Sequence, residues 1–497
     1  MLNKVKSVFS GAAGDSFLLM FVRIVTLSLG IITTRILSGY FSLHDYGTYS
    51  AILLLTNSIS SITILGMMDG LNYFFCREKD PLQRNARVST IFSLQLVIGV
   101  VVSILVLLCA VPISAYFSNA DVKRLLVFAA LLPIAQNSIS LLQILFISVG
   151  KARHIAVRNF IVSVLKLAAI LVACYVIHDI ACVLICQVIT DVLQIIYFYI
   201  VLKRNGYLIE LFHFDKTSVK EVLTYCIPMA MSTIIRSLYR DCDKYIISYY
   251  TDSVNLAVYT NASKQLPFDL IMSSFCTVLL PYLTKYIAQK KHHETVALYR
   301  SFLELSFVST SILATGALCS APELMRFLYS EKYLQSSYGI SVFMLYIVVD
   351  IFVVFTITLL LSASGKTFQI MTVSVSALLL NVFLDIVLFK QFSEIGPALA
   401  TLITTLLQGL LLLQLSAKCL GTRVIYFFDK GYYALFIFES IGFMVFARLA
   451  RQVFIHLELH YFFVLGLTVC LYCLPMVALN YKRIKKAVKH INSQKLI

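Results

Sequence analysis

The segment from Cys226 to Pro267 has the sequence CIPMAMSTIIRSLYRDCDKYIISYYTDSVNLAVYTNASKQLP and places charges inside sequence that is otherwise typical of a membrane span. Arg236, Arg240 and Lys244 recur every four residues, and Asp243 follows Arg236 by seven. On a helix all four therefore project from one face. Charges are costly inside a bilayer and are tolerated mainly where they face a protein interior or a wet cavity. We expect this face to line a cavity.

Beyond this helix the chain turns near Thr251 and Asp252 and returns through Lys264. Counted from the turn, Lys264 lies about as deep as Arg240, roughly 17 to 20 Å at 1.5 Å per residue. Two basic residues from adjacent helices could thus meet one anion. The alternative is that long basic side chains only reach towards the interface, which fits Lys244, the outermost, best.

The composition is that of a polytopic membrane protein. The 497 residues are 59% hydrophobic and 13% charged, and apolar segments of about 20 residues recur along nearly the whole chain. The net charge of +16 is spread over short loops, so no nucleic-acid partner is expected. Most of the twelve cysteines lie in apolar segments, which indicates neither a disulfide framework nor a metal site. No cofactor is expected.

Apolar runs of helix-spanning length predict an all-α polytopic protein with about fourteen transmembrane helices. The predicted spans cover residues 16–38, 46–68, 88–111, 125–148, 154–176, 180–202, 221–248, 254–284, 300–320, 338–362, 367–389, 396–416, 431–449 and 461–480. Basic residues concentrate in alternate loops, which by the positive-inside rule places both termini in the cytoplasm. An even number of spans agrees with that orientation.

A weak internal repeat divides the chain. The segment Arg35 to Ser50 matches Tyr245 to Thr260 without gaps, and Gly150-Lys151 matches Gly365-Lys366 at nearly the same offset. The offset covers six spans, so the two copies have the same orientation and predict two homologous six-helix bundles with a cavity between them. The predicted domains are an N-terminal bundle at 1–215, a C-terminal bundle at 216–420, and two further helices with a basic cytoplasmic tail at 421–497.

Further charges lie within the spans. Arg23 and Lys166 fall near mid-depth of the first and fifth spans, and we favour a cavity-lining role for both over a buried ion pair. With the residues named above they form a predicted substrate-binding set of Arg23, Lys166, Arg236, Arg240 and Lys264. Such a net positive cavity selects an anion. Phosphate is the anion that arginines bind best.

The acidic residues within the spans are fewer. Asp191, Asp350 and Asp385 lie inside helices, and Asp385 follows Asn381 by one turn. A carboxylate in an apolar surround has a raised proton affinity and commonly serves as a proton or cation relay in transporters. An ion pair with a basic residue is the alternative. Asp191, Asp243 and Asp385 are therefore predicted as coupling or ion-pair residues, and the two roles stay open.

Several stretches resemble one superfamily. A proline early in the seventh span, an aspartate late in it, and a tyrosine and a lysine in the next resemble the polysaccharide transporters of the multidrug/oligosaccharidyl-lipid/polysaccharide (MOP) exporter superfamily. The stretch NVFLDIVLFKQFSEIGPALATLITTLLQ, Asn381 to Gln408, is similar to that family's eleventh and twelfth spans. VRIVTLSLGIITTRILSGYFSLHDYGTYS, Val22 to Ser50, is similar to its opening helix pair. Where members use a second asparagine in the eleventh span, this chain has Asp385.

This resemblance implies a MATE-like fold and a Wzx-type flippase, not an enzyme, in the bacterial inner membrane. Such proteins move undecaprenyl-diphosphate-linked oligosaccharide between leaflets for O-antigen or capsule assembly. The implied partners are this lipid-linked oligosaccharide, membrane lipids and other polysaccharide assembly proteins. Two alternatives stay open: a drug/cation antiporter of the same superfamily, which should have an acid-dominated cavity, and a membrane-embedded glycan polymerase or ligase. The outer loops are too short for the large domain that such an enzyme generally needs.

Overall fold

The computed structural model describes residues 12–78, 80–149, 152–204, 209–212, 214 and 216–493. The described residues form helices joined by turns and contain no strand, which confirms the all-α prediction. Eleven helical segments of this described part are long and apolar enough to cross a membrane. The chain is therefore a multi-pass membrane protein. One of these segments, Thr367–Cys419, holds two helices, and the number fourteen stays a prediction.

The chain divides into two compact units, Met1–Ala257 and Val258–Ile497, which we call the first and second units. The helices of the first unit are α1 Ala12–Tyr40, α2 Leu43–Thr63, α3 Met67–Arg77, α4 Pro81–Leu108, α5 Ala110–Tyr116, α6 Ala120–Ala129, α7 Leu132–Ser148, α8 Ala152–Val172, α9 Ile180–Arg204 and α10 Lys216–Tyr250. A π-helical turn, Ala173–Ile177, extends α8.

The next helix, α11 Ser253–Ala262, contains the boundary between the units. The second unit continues with α12 Asp269–Ala288, α13 His292–Cys319, α14 Ala321–Leu328, α15 Gly339–Phe352, α16 Leu359–Ala363, α17 Thr367–Phe392, α18 Gly396–Cys419, α19 Lys430–His456 and α20 Tyr461–Ser493. Short 3₁₀ turns separate several of them, at Glu331–Leu334, Val353–Thr356, Ser393–Ile395 and Val424–Phe427.

The boundary between the compact units lies after Ala257, whereas the sequence repeat places a boundary between residues 215 and 216. α10, which opens the second predicted repeat, packs against α2, α3 and α4 within the first unit. A compact unit is defined by packing and a repeat by sequence similarity. The predicted division at 1–215, 216–420 and 421–497 therefore stays a prediction.

The predicted second and fourth spans are each interrupted. α2 and α3 are separated by Leu65 and Gly66, which both have a positive φ, 46° and 68°. Glycine is required at the second position, since a Cβ there would also lie 2.5 Å from the carbonyl oxygen of Cys226 on α10. α6 and α7 are separated just before Pro133, which lies in the first turn of α7.

The prediction of an unbroken eighth span at 254–284 is wrong, whereas the tenth span, predicted at 338–362, is one spanning segment, Gly339–Ala363, with an internal 3₁₀ turn. Residues 263–268 form no helix between α11 and α12, because Pro267 lacks a backbone N–H and disfavours helical geometry in the residue before it. α15 ends at Phe352 and is followed by a 3₁₀ turn, in a stretch rich in β-branched residues that lower helix propensity. Apolarity alone does not reveal such breaks.

Each unit has its own apolar core. In the first unit α1 packs on α8, and the core around α7 includes Phe146, which lies 4.6 Å from the ring of Phe198 on α9. In the second unit α13 packs along α20, and α19 packs on both. Its core includes the edge-to-face pair Tyr299 and Phe427, with ring centroids 5.0 Å apart. These cores fix the helices that carry the charged side chains described next.

Candidate functional site

The basic residues predicted on α10 meet an acid that the sequence analysis did not single out. Asp241 accepts hydrogen bonds from both Nε and a terminal nitrogen of Arg240, at 3.2 and 3.0 Å, and from Lys244 Nζ at 2.8 Å. The Asp241 side chain is only 9% exposed, whereas that of Arg240 is 59% exposed. Lys244 thus points back to Asp241 instead of only reaching towards the interface. Arg240 keeps most of its surface free for a ligand.

Asp243 and Arg236 lie on the same helix as this triad. Asp243 is buried and accepts a hydrogen bond from the backbone N–H of Lys244 at 2.8 Å. Arg236 is exposed, one turn before Arg240. Of the described α10 residues, Thr233, Arg240 and Asp241 line the cavity described next, and Arg236 does not. Of the four charges predicted to share a face, Arg240 lines this cavity, and a common cavity-lining role for all four stays a prediction.

A polar cavity of about 460 Å³, which we call the α10 cavity, lies between α2, α3, α7 and α10. Besides Arg240 and Asp241, its polar lining consists of hydroxyl and amide side chains: Asn57, Ser60, Ser61, Gln136, Asn137, Ser140 and Thr233. Some are held in place by each other, since Ser60 Oγ donates to Gln136 Oε1 at 2.8 Å. Such neutral donors and acceptors suit a hydroxylated ligand.

A second polar cavity of about 350 Å³, the α8 cavity, adjoins the first, because Gln136 and Ser140 line both. It lies between α1, α7, α8 and α9, and Lys166 and Asp191 both line it. Gln194 Nε2 donates to Asp191 Oδ1 at 2.9 Å. Two residues predicted from the sequence, Lys166 and Asp191, therefore lie at the same cavity. Among the described side chains, three basic and two acidic ones line the two cavities: Arg158, Lys166, Arg240, Asp191 and Asp241.

Arg158 is a lining residue that the sequence analysis did not name, although the predicted span 154–176 contains it. Arg158 lies inside α8 and is only 7% exposed. Its guanidinium lies 5.0 Å from the ring centroid of Phe198 and donates to Asn159 Oδ1 at 2.6 Å. When the side-chain amide of Gln143 is oriented with its oxygen facing Arg158, this oxygen accepts a further hydrogen bond from the guanidinium at 2.9 Å.

A signal for this face was present in the sequence. Asn159, Ser163 and Lys166 follow one another at i, i+4 and i+7, which is the spacing of one helix face, and Arg158 is the neighbour of the first. All four line the α8 cavity. A polar stripe in an otherwise apolar span marks a surface turned away from lipid.

In the second unit, Lys264 is exposed and lies in the break between α11 and α12. The break exposes backbone groups, and the N–H of Leu266 donates to Asp350 Oδ2 at 3.2 Å. Asp350 is buried, and its carboxylate accepts from a backbone N–H that would bond to a carbonyl of the preceding turn in an unbroken helix. Lys264 and Arg240 belong to different units, so their predicted meeting at one anion stays a prediction.

Asp385 belongs to a buried polar group in the second unit. The Nδ2 atom of Asn381 lies 3.4 Å from Asp385 Oδ1 and 3.4 Å from Thr404 Oγ1 on α18. Asn381 and Asp385 are both fully buried. The side chain of Arg23, the remaining predicted residue, lies outside the described part of the structure.

Comparisons with known proteins address the fold and the family. The model of a family described as "Polysaccharide biosynthesis protein" matches residues 32–338, more than half of the chain. A probable lipid II flippase MurJ of Rickettsia prowazekii (strain Madrid E) is 20% identical over 409 residues, which are 78% of this chain and 80% of that relative.

Solved structures show the same architecture. Lipid II flippase MurJ in an inward closed conformation has a TM-score of 0.73 and 16% identity, covering 94% of this chain and 99% of its own. An inward-facing multidrug resistance MATE family transporter of the MOP superfamily has a TM-score of 0.64 and 13% identity, covering 80% and 98%. These likenesses confirm the predicted MATE-like fold class.

Proposed function

Since the chain belongs to the polysaccharide biosynthesis protein family, we propose that it is a flippase for a lipid-linked oligosaccharide in the bacterial inner membrane. The proposed cargo is an undecaprenyl-diphosphate-linked repeat unit of O-antigen or capsular polysaccharide. The observation that carries this proposal is the pair of adjoining polar cavities in the first unit, which combine basic side chains with many hydroxyl and amide groups. The similar proteins are a flippase and a transporter by name, and the chain is not an enzyme.

The two parts of such a cargo match the two kinds of lining. Arginine and lysine bind diphosphate through charge-assisted hydrogen bonds, and Arg158, Lys166 and Arg240 offer three basic groups. Sugar hydroxyls need neutral donors and acceptors, which Asn57, Gln136 and their neighbours supply. We assign the diphosphate to the basic groups and the glycan to the amide and hydroxyl lining.

The remaining predicted residues keep their proposed roles. Arg23, Arg236 and Lys264 are proposed as further contacts to the anionic cargo during a cycle of alternating access. Asp191, Asp243 and Asp385 are proposed as coupling or ion-pair residues. The buried position of Asp385 supports a part in the conformational cycle rather than in cargo contact. Other polysaccharide assembly proteins are proposed partners, and no cofactor is part of the proposal.

Lipid II is the second candidate cargo, because two similar proteins are named for its transport. The two cargoes are separated by deleting the gene and measuring which lipid-linked intermediate accumulates on the cytoplasmic face. We expect loss of surface polysaccharide and accumulation of its lipid-linked repeat unit. Accumulation of lipid II with cell lysis would favour the second candidate. Unpolymerised repeat units on the outer leaflet would favour the polymerase alternative.

The proposed orientation is tested independently. The turn between α12 and α13 contains Lys290 and is proposed to be cytoplasmic, with both termini on the same side. A single cysteine at Lys290, in a background without the native thiols, should react with a membrane-impermeant reagent only after the inner membrane is opened. Labelling of this cysteine in intact spheroplasts would show that the orientation is the opposite of the one proposed.

A further inference from the structure

A further cavity of the first unit shares no described lining residue with the two polar cavities. It has a volume of about 860 Å³ and lies between the end of α3, the start of α4 and the start of α10. Arg77, Arg87 and Lys220 contribute its positive charges, and Glu78 and Glu221 its negative ones. The proposed transport path makes no use of this cavity.

One arginine satisfies both carboxylates of this cavity. Arg87 lies 2.6 Å from Glu78 Oε2 and 3.0 Å from Glu221 Oε2, and its guanidinium lies 5.4 Å from the ring centroid of Phe74. Arg77 and Lys220 are exposed, and the Arg77 guanidinium lies 5.3 Å from the ring centroid of Tyr73. The described lining charges, three positive and two negative, therefore sum to a net charge of +1, and the cavity's exposed positive groups are Arg77 and Lys220, which suits one phosphate group.

An apolar hollow of about 460 Å³ continues from this charged cavity, because Lys220 and Thr224 line both. Its other lining residues are Phe214, Val219, Leu223 and Ile227. Phe214 and Ile227 are 48% and 52% exposed. The site thus has a cationic end and an apolar end, which is the polarity of a phospholipid.

The chain beside the hollow indicates which environment surrounds it. Leu211 and Phe212 precede Phe214, and they are 52% and 66% exposed. Exposed aromatic and aliphatic side chains next to basic residues are typical of segments at the boundary between headgroups and acyl chains. In the proposed topology this boundary belongs to the cytoplasmic leaflet, whose anionic lipids attract basic residues.

We propose that the charged cavity and the apolar hollow together bind one anionic membrane phospholipid. Arg77 and Lys220 contact its phosphate, and Leu223, Ile227 and Phe214 contact the beginning of an acyl chain. The headgroup would hold α10 and α3 at their shared end without entering the transport path. This inference does not rest on the proposed cargo, so either proposal can fail alone.

The test is native mass spectrometry of the full-length protein in detergent, titrated with phosphatidylglycerol or with phosphatidylcholine of the same acyl chains. We expect the wild type to favour phosphatidylglycerol. The Arg77→Ala/Lys220→Ala variant should bind it about thirtyfold more weakly, because each basic residue near a membrane surface contributes about 1 kcal/mol. Binding of phosphatidylcholine should stay unchanged in that variant. Ile227→Gln should weaken both lipids.

The matched control is Lys203→Ala/Arg204→Ala, which removes two exposed basic residues at the end of α9 that line neither the cavity nor the hollow. It should bind both lipids as the wild type does. Lys220→Gln alone provides a milder second variant, should the double variant fail to fold. Equal phosphatidylglycerol binding by wild type and Lys220→Gln would overturn the proposal, as would full displacement of the lipid by inorganic phosphate.

Discussion

Two arginines, Arg451 on α19 and Arg483 on α20, are neutralised differently from the basic residues of the polar cavities. Arg451 on α19 makes three hydrogen bonds of 2.7 to 3.1 Å to the carboxylate of Glu323 on α14. Arg483 on α20 contacts both Asp429 and Glu304, at 3.3 and 3.6 Å. Each of these guanidinium groups forms ion pairs with carboxylates outside its own helix, on α13, on α14 or directly before α19. Such pairs fix helices in place.

The cavity residues are held mainly by neutral groups. Arg158 contacts amide oxygens and an aromatic ring, and Arg240 shares its one carboxylate with Lys244. Their positive charge is therefore compensated only in part and remains available to an anion. A basic residue that is fully paired with carboxylates serves the scaffold, whereas one that is paired only in part can bind an anion, wherever in a span it lies.

The largest effect is expected from the α8 cavity. Lys166→Ala and Arg158→Ala should each lower surface polysaccharide about ten- to hundredfold, because a charge-assisted contact contributes about 1.5 to 3 kcal/mol. Surface glycan is measured in a deletion strain that carries each variant at matched protein level. Arg158→Lys should keep part of the activity. A wild-type amount of surface polysaccharide in the Lys166→Ala strain would show that this cavity is not part of the transport path.

The second prediction concerns the scaffold pair. Arg451→Ala should lower the free energy of unfolding by about 2 kcal/mol, since it leaves the mostly buried carboxylate of Glu323 unpaired. Thermal unfolding in detergent measures this, and transport per folded molecule should not change. Adding Glu323→Ala should recover part of the lost stability. A loss of transport at unchanged stability would show that the pair is not a scaffold.

Arg240 should have an intermediate effect. Its side chain is largely exposed, so we expect Arg240→Ala to lower transport about fivefold, which corresponds to about 1 kcal/mol. Folding should be normal because Lys244 still pairs with Asp241. In the Arg240→Ala/Asp241→Ala variant transport should stay low. Recovery of surface glycan in that variant would make Arg240 a structural partner of Asp241.

The smallest effect is expected from pH. The backbone N–H of Tyr432 at 3.3 Å, with Arg483 and Arg300, lowers the pKa of Asp429 below its usual value. The carboxylate therefore contributes stability above its unfolded pKa of about 4, and this contribution is lost as the pH falls through the lower folded pKa. Asp429 is exposed enough that the contribution is below about 1 kcal/mol.

The measurement compares unfolding temperatures between about pH 6 and pH 3 for wild type and Asp429→Asn. The wild type should lose its small advantage over the variant at the acidic end. A constant difference across this range would mean that the carboxylate charge contributes nothing to stability.

The sequence by itself determined the all-α membrane fold class and the family. Apolar runs of about 20 residues have few stable alternatives to a helix in a bilayer, and residues 32–338 match the family model. Lys166, Arg240 and Asp191 were identified as candidates because a charge inside an apolar span is conspicuous in sequence alone.

Only the tertiary structure decided which charges meet. Arg158 was not a sequence candidate, and the packing of α8 brings it into the α8 cavity together with Lys166. The role of Asp241 follows from the side-chain conformations of Arg240 and Lys244. The breaks beside Gly66 and Pro267 likewise depend on local backbone geometry that apolarity does not encode. Pairing is a property of contacts between helices, and a sequence specifies those contacts only through the packing of the whole unit.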